Sequence, residues 1–271
     1  MSDDYVHGYS EREAQRLFDQ ASTLCELLHS GTYYPPGSKV LEAGCGVGAQ
    51  TVLLAQKSPQ ARITSIDISP DSLASAKQLA GNHGIRNVEF RVADIFDPPF
   101  EDESFDHIFL CFVMEHLKEP QKALQSLKRV LRPGGSITAI EGDHGSAFFS
   151  PESTEASKAI ECLVNLQRRS GGDAKVGRRL YPLLCGAGFE DVRVSPRMVY
   201  VDDSRPEWVE GFTKLTFTAM VEGVEREALD SGMMERAAWK KGIADLYRTA
   251  GHDGTFCYTF IKGVAKKPLH Q

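Results

Sequence analysis

The chain has 271 residues, of which 41% are hydrophobic and 25% are charged, as in an ordinary globular protein. Its formal charge is −6 and it holds no long lysine and arginine cluster, which argues against a general nucleic-acid or membrane-surface binder. No apolar run approaches the roughly 18 residues that a membrane span needs, and the acidic first residues lack the pattern of a secretory signal peptide.

The cysteine and histidine spacings favour a reduced, cytoplasmic protein without a metal site. None of the six cysteines forms a C-x-x-C pair, and none of the eight histidines forms an H-x-x-x-H pair. These are the spacings that zinc sites and many redox sites use. Dispersed cysteines are typical of reduced proteins, where they serve as small buried side chains.

Helical and strand patterns alternate along the first half of the chain. Apolar residues at helical spacing predict a helix from Ser10 to His29, within an N-terminal segment of residues 1–37. Five strands separated by helical patterns are then predicted at Lys39–Ala43, Ile63–Asp67, Val88–Asp94, Phe105–Val113 and Ser136–Glu141. Such alternation predicts an α/β, doubly wound Rossmann-like sheet with helices on both faces.

The second half is less regular. A helix at 176–186 and strands at 191–201 and 256–264 complete a mostly parallel sheet of seven strands. Two further stretches are predicted to be mainly helical: an insertion at 142–175 and a cap at 202–255. The Rossmann-like core is then 38–201 together with 256–271. Insertions of this kind cap a ligand site at the carboxyl edge of the sheet, or only pad the sheet or build a dimer interface.

A glycine-rich turn joins the first strand to the first helix of the sheet, with glycines at 44, 46 and 48. Glycines let the backbone turn sharply and approach a ligand closely. The turn alone does not identify the ligand, because Gly44, Gly46 and Ala49 also satisfy the dinucleotide pattern G-x-G-x-x-A. The preceding Glu42 suits an ammonium group or an ordered water better than a pyrophosphate.

Two carboxylates at later strand ends narrow the choice of ligand. Asp67 ends the second strand, where it can accept both hydroxyls of a ribose. Asp94 ends the third strand, where it can accept from the amine of an adenine. A ligand with adenine, ribose and an amino acid but no phosphate is S-adenosylmethionine. An NAD enzyme remains the alternative that shares part of this pattern.

Five motifs in order over residues 38–141 resemble those of the class I S-adenosylmethionine-dependent methyltransferases. They are Val40–Gly48, Ser65–Pro70, Val92–Phe96, Phe105–Leu117 and Leu131–Gly135. The resemblance implies that Gly44, Cys45, Gly46 and Gly48 line the methionine part of the cofactor. It further implies Asp67 with Ile68 at the ribose, Asp94 and Ile95 at the adenine, and Phe112 and Val113 near the sulfonium.

The N-terminal segment and several later stretches look like a subgroup of small-molecule methyltransferases. This subgroup includes gliotoxin-type S-methyltransferases and the indole C3-methyltransferases of the physostigmine pathway. The resemblance implies that residues 1–37 form a helical lid in which Tyr9 and Gln20 close over the cofactor. A peripheral helix with solvated charges would show the same pattern.

The candidate catalytic groups follow the fourth and fifth strands. His144 has the intrinsic pKa for a base near neutrality, with Glu141 and Asp143 beside it in the sequence. Glu115, next to His116, is a second candidate, and Tyr181 could orient a substrate by a hydrogen bond. Each of these residues could instead pack, cap a helix or lie on the surface.

The acceptor is expected to be a small aromatic metabolite, because a set of aromatic side chains suggests a flat, apolar ligand. The set is Tyr9, Phe148, Phe149, Tyr181, Tyr200, Trp208, Phe212, Phe217 and Trp239. The resemblance to the indole-methylating subgroup makes C3 of an indole the favoured acceptor, with an N-, O- or S-methyltransferase of another small metabolite as the alternative. A nucleic-acid methyltransferase and a non-catalytic cofactor-binding protein are the other classes. The extra helices predict a homodimer.

Overall fold

The structure is a computed structural model that describes residues 23–269. The predicted helix from Ser10 falls mostly outside these residues, as do Tyr9 and Gln20. No helix in the described part of the chain is both long and apolar enough to cross a membrane.

Seven strands and ten α-helices make up the described chain. The strands are β1 Lys39–Ala43, β2 Arg62–Asp67, β3 Val88–Val92, β4 Phe105–Cys111, β5 Leu131–Ser150, β6 Glu190–Val201 and β7 Thr255–Lys266. The helices are α1 Cys25–His29, α2 Ala49–Lys57, α3 Pro70–Asn82, α4 Pro120–Val130, α5 Thr154–Arg169, α6 Leu180–Gly186, α7 Pro206–Trp208, α8 Ala219–Glu222, α9 Glu225–Asp230 and α10 Arg236–Arg248. Short 3₁₀ turns at Met114–His116 and Val176–Arg179 and a π-helix at Val209–Thr218 complete the list.

The strands form one sheet in the order β3-β2-β1-β4-β5-β7-β6. The first five strands run parallel to one another, and β7 is antiparallel to both β5 and β6. This confirms the predicted seven-stranded, mostly parallel α/β sheet. The nearly all-apolar strand β4 lies in the middle of the sheet, as expected for a strand covered on both faces. The strand order reverses between β1 and β4, so the carboxyl ends of these two strands flank the crevice where ligands bind in such sheets.

The fifth strand differs from the prediction. It was expected to end at Glu141 and to be followed by a mainly helical stretch, but β5 continues to Ser150 and α5 begins only at Thr154. The physical reason is β7, whose residues 255–257 pair with residues 148–150 of β5 after an irregularity in the register. These long-range hydrogen bonds override the local Gly, Ser and Asp content of the segment.

Two strands are shorter than predicted at their carboxyl ends. The structure ends β3 at Val92 rather than Asp94, and β4 at Cys111 rather than Val113. Phe112 adopts a φ of 59°, a conformation that no strand allows. The chain therefore turns at Phe112, and the residues after it leave the plane of the sheet.

Two apolar layers cover the two faces of the sheet. Val40, Phe109 and Phe260 belong to the layer beneath α1, α5 and the cap helices. Leu41, Ile108 and Ala139 belong to the opposite layer, together with residues of α4 and α6. The segment predicted as a cap, 202–255, is mainly helical, and its Phe212 and Trp239 share the first layer with the strands. Dividing the chain into lid, core, insertion and cap stays a prediction.

Candidate active site

The glycine turn has the backbone geometry that its sequence predicts. Gly44, Gly46 and Gly48 have φ values of 77°, 52° and 84°, a backbone conformation that residues with a Cβ rarely adopt. A Cβ on Gly44 would lie 2.6 Å from Cγ2 of Val113, so the turn after β1 packs directly on the turn after β4. A Cβ on Gly46 would meet nothing within 4 Å, which leaves open space above this residue.

Asp67 connects the second strand to the glycine turn. Its Oδ2 accepts from the backbone N–H of Gly46 at 2.8 Å, and its Oδ1 accepts from the N–H of Ser69 at 2.9 Å. A carboxylate has about four lone pairs, so each oxygen can accept one more hydrogen bond. The geometry therefore fits a pair of ribose hydroxyls, the role that the sequence assigns to Asp67.

Exposed apolar surface flanks the position predicted for an adenine. Ile68 is 66% exposed although it is large and apolar. Ile95 is half-buried, and the neighbouring Asp94 is exposed and accepts from the N–H of Phe96 at 2.8 Å. Flat apolar surface beside a carboxylate fits a purine ring with an exocyclic amine. The proposed adenine subsite uses these three side chains.

Glu42 lies below the turn and is buried. Its Oε2 accepts from the hydroxyl of Ser65 at 2.6 Å. Burial raises the pKa of Glu42 to about 7; hydrogen bonds from Ser65 and Thr51 oppose this rise, and the charge of Asp67 adds to it. Cys45 is also buried, within the turn itself. Contact of Glu42 or Cys45 with a cofactor stays a prediction.

A second buried carboxyl group shapes the end of β4. Oε1 of Glu141 accepts from the N–H groups of Val113 and Met114 at 3.0 and 2.9 Å. Burial raises the pKa of Glu141 to about 8 and the charge of Glu115 adds, while the backbone N–H groups oppose the rise. The sequence placed Glu141 among the candidate bases, but the structure shows that it holds the turn.

His144 and Tyr258 form a buried pair beside this turn. The phenol oxygen of Tyr258 lies 2.9 Å from Nδ1 of His144, and their rings meet edge to face at 5.7 Å. Burial holds the pKa of Tyr258 well above its ordinary value; the charges of Glu115 and Asp143 add to this, while the N–H of Asp143 opposes it. A Cβ on Gly142 would lie 2.4 Å from the Tyr258 oxygen, so only glycine leaves room for the phenol.

Asp143, the residue before His144, has a different partner. Its two oxygens accept from Nε and an Nη of Arg178 at 2.9 and 2.7 Å. Such bidentate pairs hold both groups in a fixed geometry. The N–H of His144 also donates to the carbonyl of Ala174 at 2.9 Å. The 3₁₀ turn after residue 175 thus fixes the backbone around His144.

The structure separates Tyr181 from the other candidate catalytic residues. Its side chain is 56% exposed, and its neighbours Leu180 and Leu184 belong to the layer on the other face of the sheet from Tyr258. Glu115 is different, because its charge acts on both Glu141 and Tyr258. Its side chain is mostly buried, and Oε1 lies 3.4 Å from Nε2 of His116.

Aromatic rings line the sheet between the β4 turn and His144. The rings of Phe112 and Phe260 lie 5.4 Å apart, and those of Phe260 and Tyr258 lie 4.7 Å apart. Phe217 of the π-helix lies 6.1 Å from His144 and 5.4 Å from Tyr258. The sequence had singled out neither Phe260 nor Tyr258, because only the register of β7 against β5 brings these residues to the site.

The site lies at the carboxyl ends of parallel strands and combines a glycine turn with open space above it and the carboxylate of Asp67. These features are typical of a nucleoside-binding α/β protein. A family model described as a methyltransferase domain matches residues 35–188, which is more than half of the chain. The chain therefore belongs to the class I S-adenosylmethionine-dependent methyltransferases. Its cofactor is S-adenosylmethionine, and the geometry at Gly46 and Asp67 fits that group.

Curated relatives carry several activities. The chain is 25% identical over 240 residues to an uncharacterised methyltransferase of Schizosaccharomyces pombe, a match that covers 85% of this chain and 84% of that protein. It is 28% identical over 163 residues to an arsenite methyltransferase of Halobacterium salinarum, over 60% of this chain and 40% of that protein. The chain spans about half the length of several other curated relatives.

Solved structures share the fold. A putative methyltransferase from Bacillus halodurans has a TM-score of 0.57 at 20% identity, over 91% of this chain and 99% of that one. A Haemonchus contortus phosphoethanolamine N-methyltransferase, solved with phosphomonomethylethanolamine and S-adenosylhomocysteine, has a TM-score of 0.58 at 17% identity. That match covers 93% of this chain and 57% of the other. At these identities the likeness shows the fold alone.

Proposed function

We propose that the enzyme methylates a small aromatic metabolite, and that C3 of an indole is its best candidate acceptor. One observation carries the proposal: an aromatic wall runs from Phe112, at the predicted sulfonium position, to Tyr258 and His144. Flat rings stack or meet edge to face on such walls. An acceptor ring lying there would have polar side chains at its far end.

S-adenosylmethionine, when bound, supplies a methyl group on a positively charged sulfur that is open to in-line attack. The protein's work is alignment, which can contribute several kcal/mol by placing the acceptor atom on that line. Gly44 and Asp67 position the cofactor in this proposal, and the rings of Phe112 and Phe260 position the acceptor. No covalent intermediate with the protein is required.

For an indole, the bond from C3 to the methyl carbon forms as the sulfur–methyl bond breaks. The ring nitrogen then loses its proton to a base, which leaves a neutral 3-methylated indolenine. A base that approaches the N–H also makes C3 more nucleophilic. His144 and Glu115 are the proposed polar groups at this end of the site, and the exposed Tyr181 has no part in the proposal.

The alternative is an N-, O- or S-methyltransferase of another small metabolite, and a non-catalytic cofactor-binding protein is the alternative of another class. The intact turn at Gly44–Gly48 supports an active enzyme. The proposed partner is a small molecule rather than a nucleic acid or a membrane, and a homodimer stays a prediction.

The test is mass spectrometry of the protein with S-adenosylmethionine and a panel of indoles, catechols, amines and thiols. An indole product one methylene heavier, with the methyl located on C3 by NMR, supports the proposal. Turnover only on a hydroxyl, amine or thiol contradicts the indole part and keeps the enzyme class. Cofactor binding without any product across a broad panel would favour the non-catalytic alternative.

A further inference from the structure

The phenol of Tyr258 has one hydrogen to donate, and the part of the chain that the structure describes offers it one acceptor. Among residues 23–269, the acceptor that this hydrogen meets is Nδ1 of His144, at 2.9 Å, while the backbone N–H of Asp143 donates toward the phenol oxygen. The phenol is buried, so water cannot replace this partner. Gly142 gives the ring the space that this contact needs. The geometry makes Tyr258 the donor and Nδ1 of His144 the acceptor.

The reverse arrangement leaves a buried group unsatisfied. If Nδ1 carried the proton and donated to the phenol oxygen, the hydroxyl hydrogen of Tyr258 would lose its acceptor. Leaving a buried donor without a partner is costly. Burial also holds the pKa of Tyr258 well above its ordinary value, so the phenol keeps its hydrogen at any working pH.

We propose that Tyr258 is a positioning residue that holds His144 in the tautomer with its proton on Nε2, so that His144 acts as a hydrogen-bond donor and Glu115 receives the acceptor's proton. A neutral imidazole carries one proton, and an Nδ1 that accepts places it on Nε2. The familiar catalytic histidine is held in the opposite tautomer by a carboxylate that accepts from Nδ1–H. Whatever group Nε2 meets, it meets that group as an N–H donor.

Three carboxyl groups near His144 differ in whether they can accept a proton from the acceptor. Oε1 of Glu141 already accepts from two backbone N–H groups, and its raised pKa of about 8 keeps the group protonated near neutrality. Asp143 is paired with Arg178. Among the carboxylates of residues 23–269 at this end of the site, Glu115 remains to take a proton, and its Oε1 lies 3.4 Å from Nε2 of His116. The role of Glu115 rests on the proposed function, whereas the tautomer of His144 does not.

The tautomer is measured without any acceptor. Two-bond ¹H–¹⁵N correlation spectra of ¹⁵N-histidine-labelled protein distinguish the nitrogen that carries a proton from the one that does not. His144→Gln identifies the His144 signals among those of the eight histidines. The wild-type protein is expected to show His144 protonated on Nε2, and Tyr258→Phe to shift it toward Nδ1. Wild-type protonation on Nδ1 overturns the proposal.

Tyr34→Phe is the matched control. Tyr34 is also buried on this face of the sheet, where it stacks on His107 at 4.9 Å. Removing the Tyr34 hydroxyl should leave the His144 signals unchanged. The comparison therefore separates the loss of the Tyr258–His144 hydrogen bond from a general effect of removing a buried hydroxyl. An equal shift of the His144 signals in both variants overturns the role of Tyr258.

Kinetics test the second half of the proposal on whichever acceptor the panel identifies. Glu115→Gln should lower kcat by about 10²–10⁴, the range of general-base catalysis, with the affinity for S-adenosylmethionine unchanged. His144→Gln keeps an N–H donor and should retain at least about tenfold more turnover than His144→Leu, the share of one hydrogen bond. Equal losses in the two His144 variants, or full activity of Glu115→Gln, overturn the assigned roles even when the tautomer is as proposed.

Discussion

The backbone N–H of Gly46 donates a 2.8 Å hydrogen bond to Oδ2 of Asp67, so one carboxylate joins the end of β2 to the glycine turn after β1. The proposed ribose site and methionine site are therefore parts of a single hydrogen-bonded unit. A substitution at either residue should therefore weaken the binding of S-adenosylmethionine. A binding measurement alone can then test whether Gly46 and Asp67 form the cofactor site.

Asp67→Ala is expected to weaken the binding of S-adenosylmethionine by about 1–3 kcal/mol, the cost of leaving buried hydroxyls without an acceptor. Isothermal titration calorimetry measures this directly. Asp71→Ala, which removes an exposed carboxylate from the first turn of α3, is the control and should bind as the wild type does. Unchanged affinity in Asp67→Ala would remove Asp67 from the ribose site.

Gly44→Ala tests the contact between the two strand-end turns. An alanine at this φ of 77° is strained, and its Cβ would also lie 2.6 Å from Val113. Gly37→Ala is the control, since it has the same strain at a φ of 79° but open space around it. Strain alone costs about 1–2 kcal/mol. Thermal unfolding and cofactor titration should show a larger loss in Gly44→Ala, and equal losses would mean that Val113 simply moves aside.

Glu141 should make the protein less stable as the pH rises. Its pKa is raised from 4.5 to about 8 by burial, so between these values the folded state holds a proton that the unfolded state has lost. The contribution of this proton to the free energy of unfolding is complete below pH 4.5. It is lost progressively toward pH 8, by up to about 1.4 kcal/mol per pH unit. Glu141→Gln keeps the acceptor oxygen for Val113 and Met114 and should flatten this slope.

The measurement is urea unfolding of wild type and Glu141→Gln at a series of pH values from 5 to 8. Glu89→Gln, on the exposed part of β3, is the control and should keep the wild-type slope. If Glu141→Gln keeps the same slope as wild type, the buried carboxyl is ionised throughout and the raised pKa is wrong.

Arg178 and Arg179 offer a comparison between neighbours. Arg178 pairs with the buried carboxylate of Asp143, whereas Arg179 pairs with Asp173 at the surface. Arg178→Ala should cost about 1–3 kcal/mol of unfolding free energy, because it leaves a buried charge short of partners, although half-exposure of Arg178 places the cost toward the lower value. Arg179→Ala should cost less than about 1 kcal/mol. Similar losses in chemical denaturation would show that Asp143 is satisfied without Arg178.

Local patterns predicted most of the sheet and the proximity of the strand-end groups at which cofactor binding is proposed. The turn at Gly44–Gly48 and the carboxylate of Asp67 lie at strand ends whose apolar runs are visible in the sequence, so their proximity follows from the parallel fold alone. The strand limits at β3 and β4 were less accurate. Phe112 continues an apolar run, and its positive φ is imposed by Val113, Glu141 and the packing against Gly44.

The acceptor side depends on contacts between distant parts of the chain. Tyr258 reaches His144 across 114 residues, and it does so only because β5 continues past Glu141 and pairs with β7 through an irregular register. No local pattern encodes that register. The pairing of Arg178 with Asp143 also joins distant residues that no local pattern connects. The sequence could therefore name His144 as a candidate, but the proposal for its tautomer depends on the contact with Tyr258 in the structure.

A crystal structure with S-adenosylhomocysteine bound would locate the nucleoside and the sulfur relative to Asp67 and Phe112. We expect the ribose hydroxyls on the carboxylate of Asp67, the adenine between Ile68 and Ile95, and the sulfur facing the turn at Phe112. The homocysteine chain would lie over Gly44 and Gly46. A nucleoside bound away from Asp67, or a sulfur turned away from the aromatic wall, would contradict the account of both the cofactor site and the acceptor site.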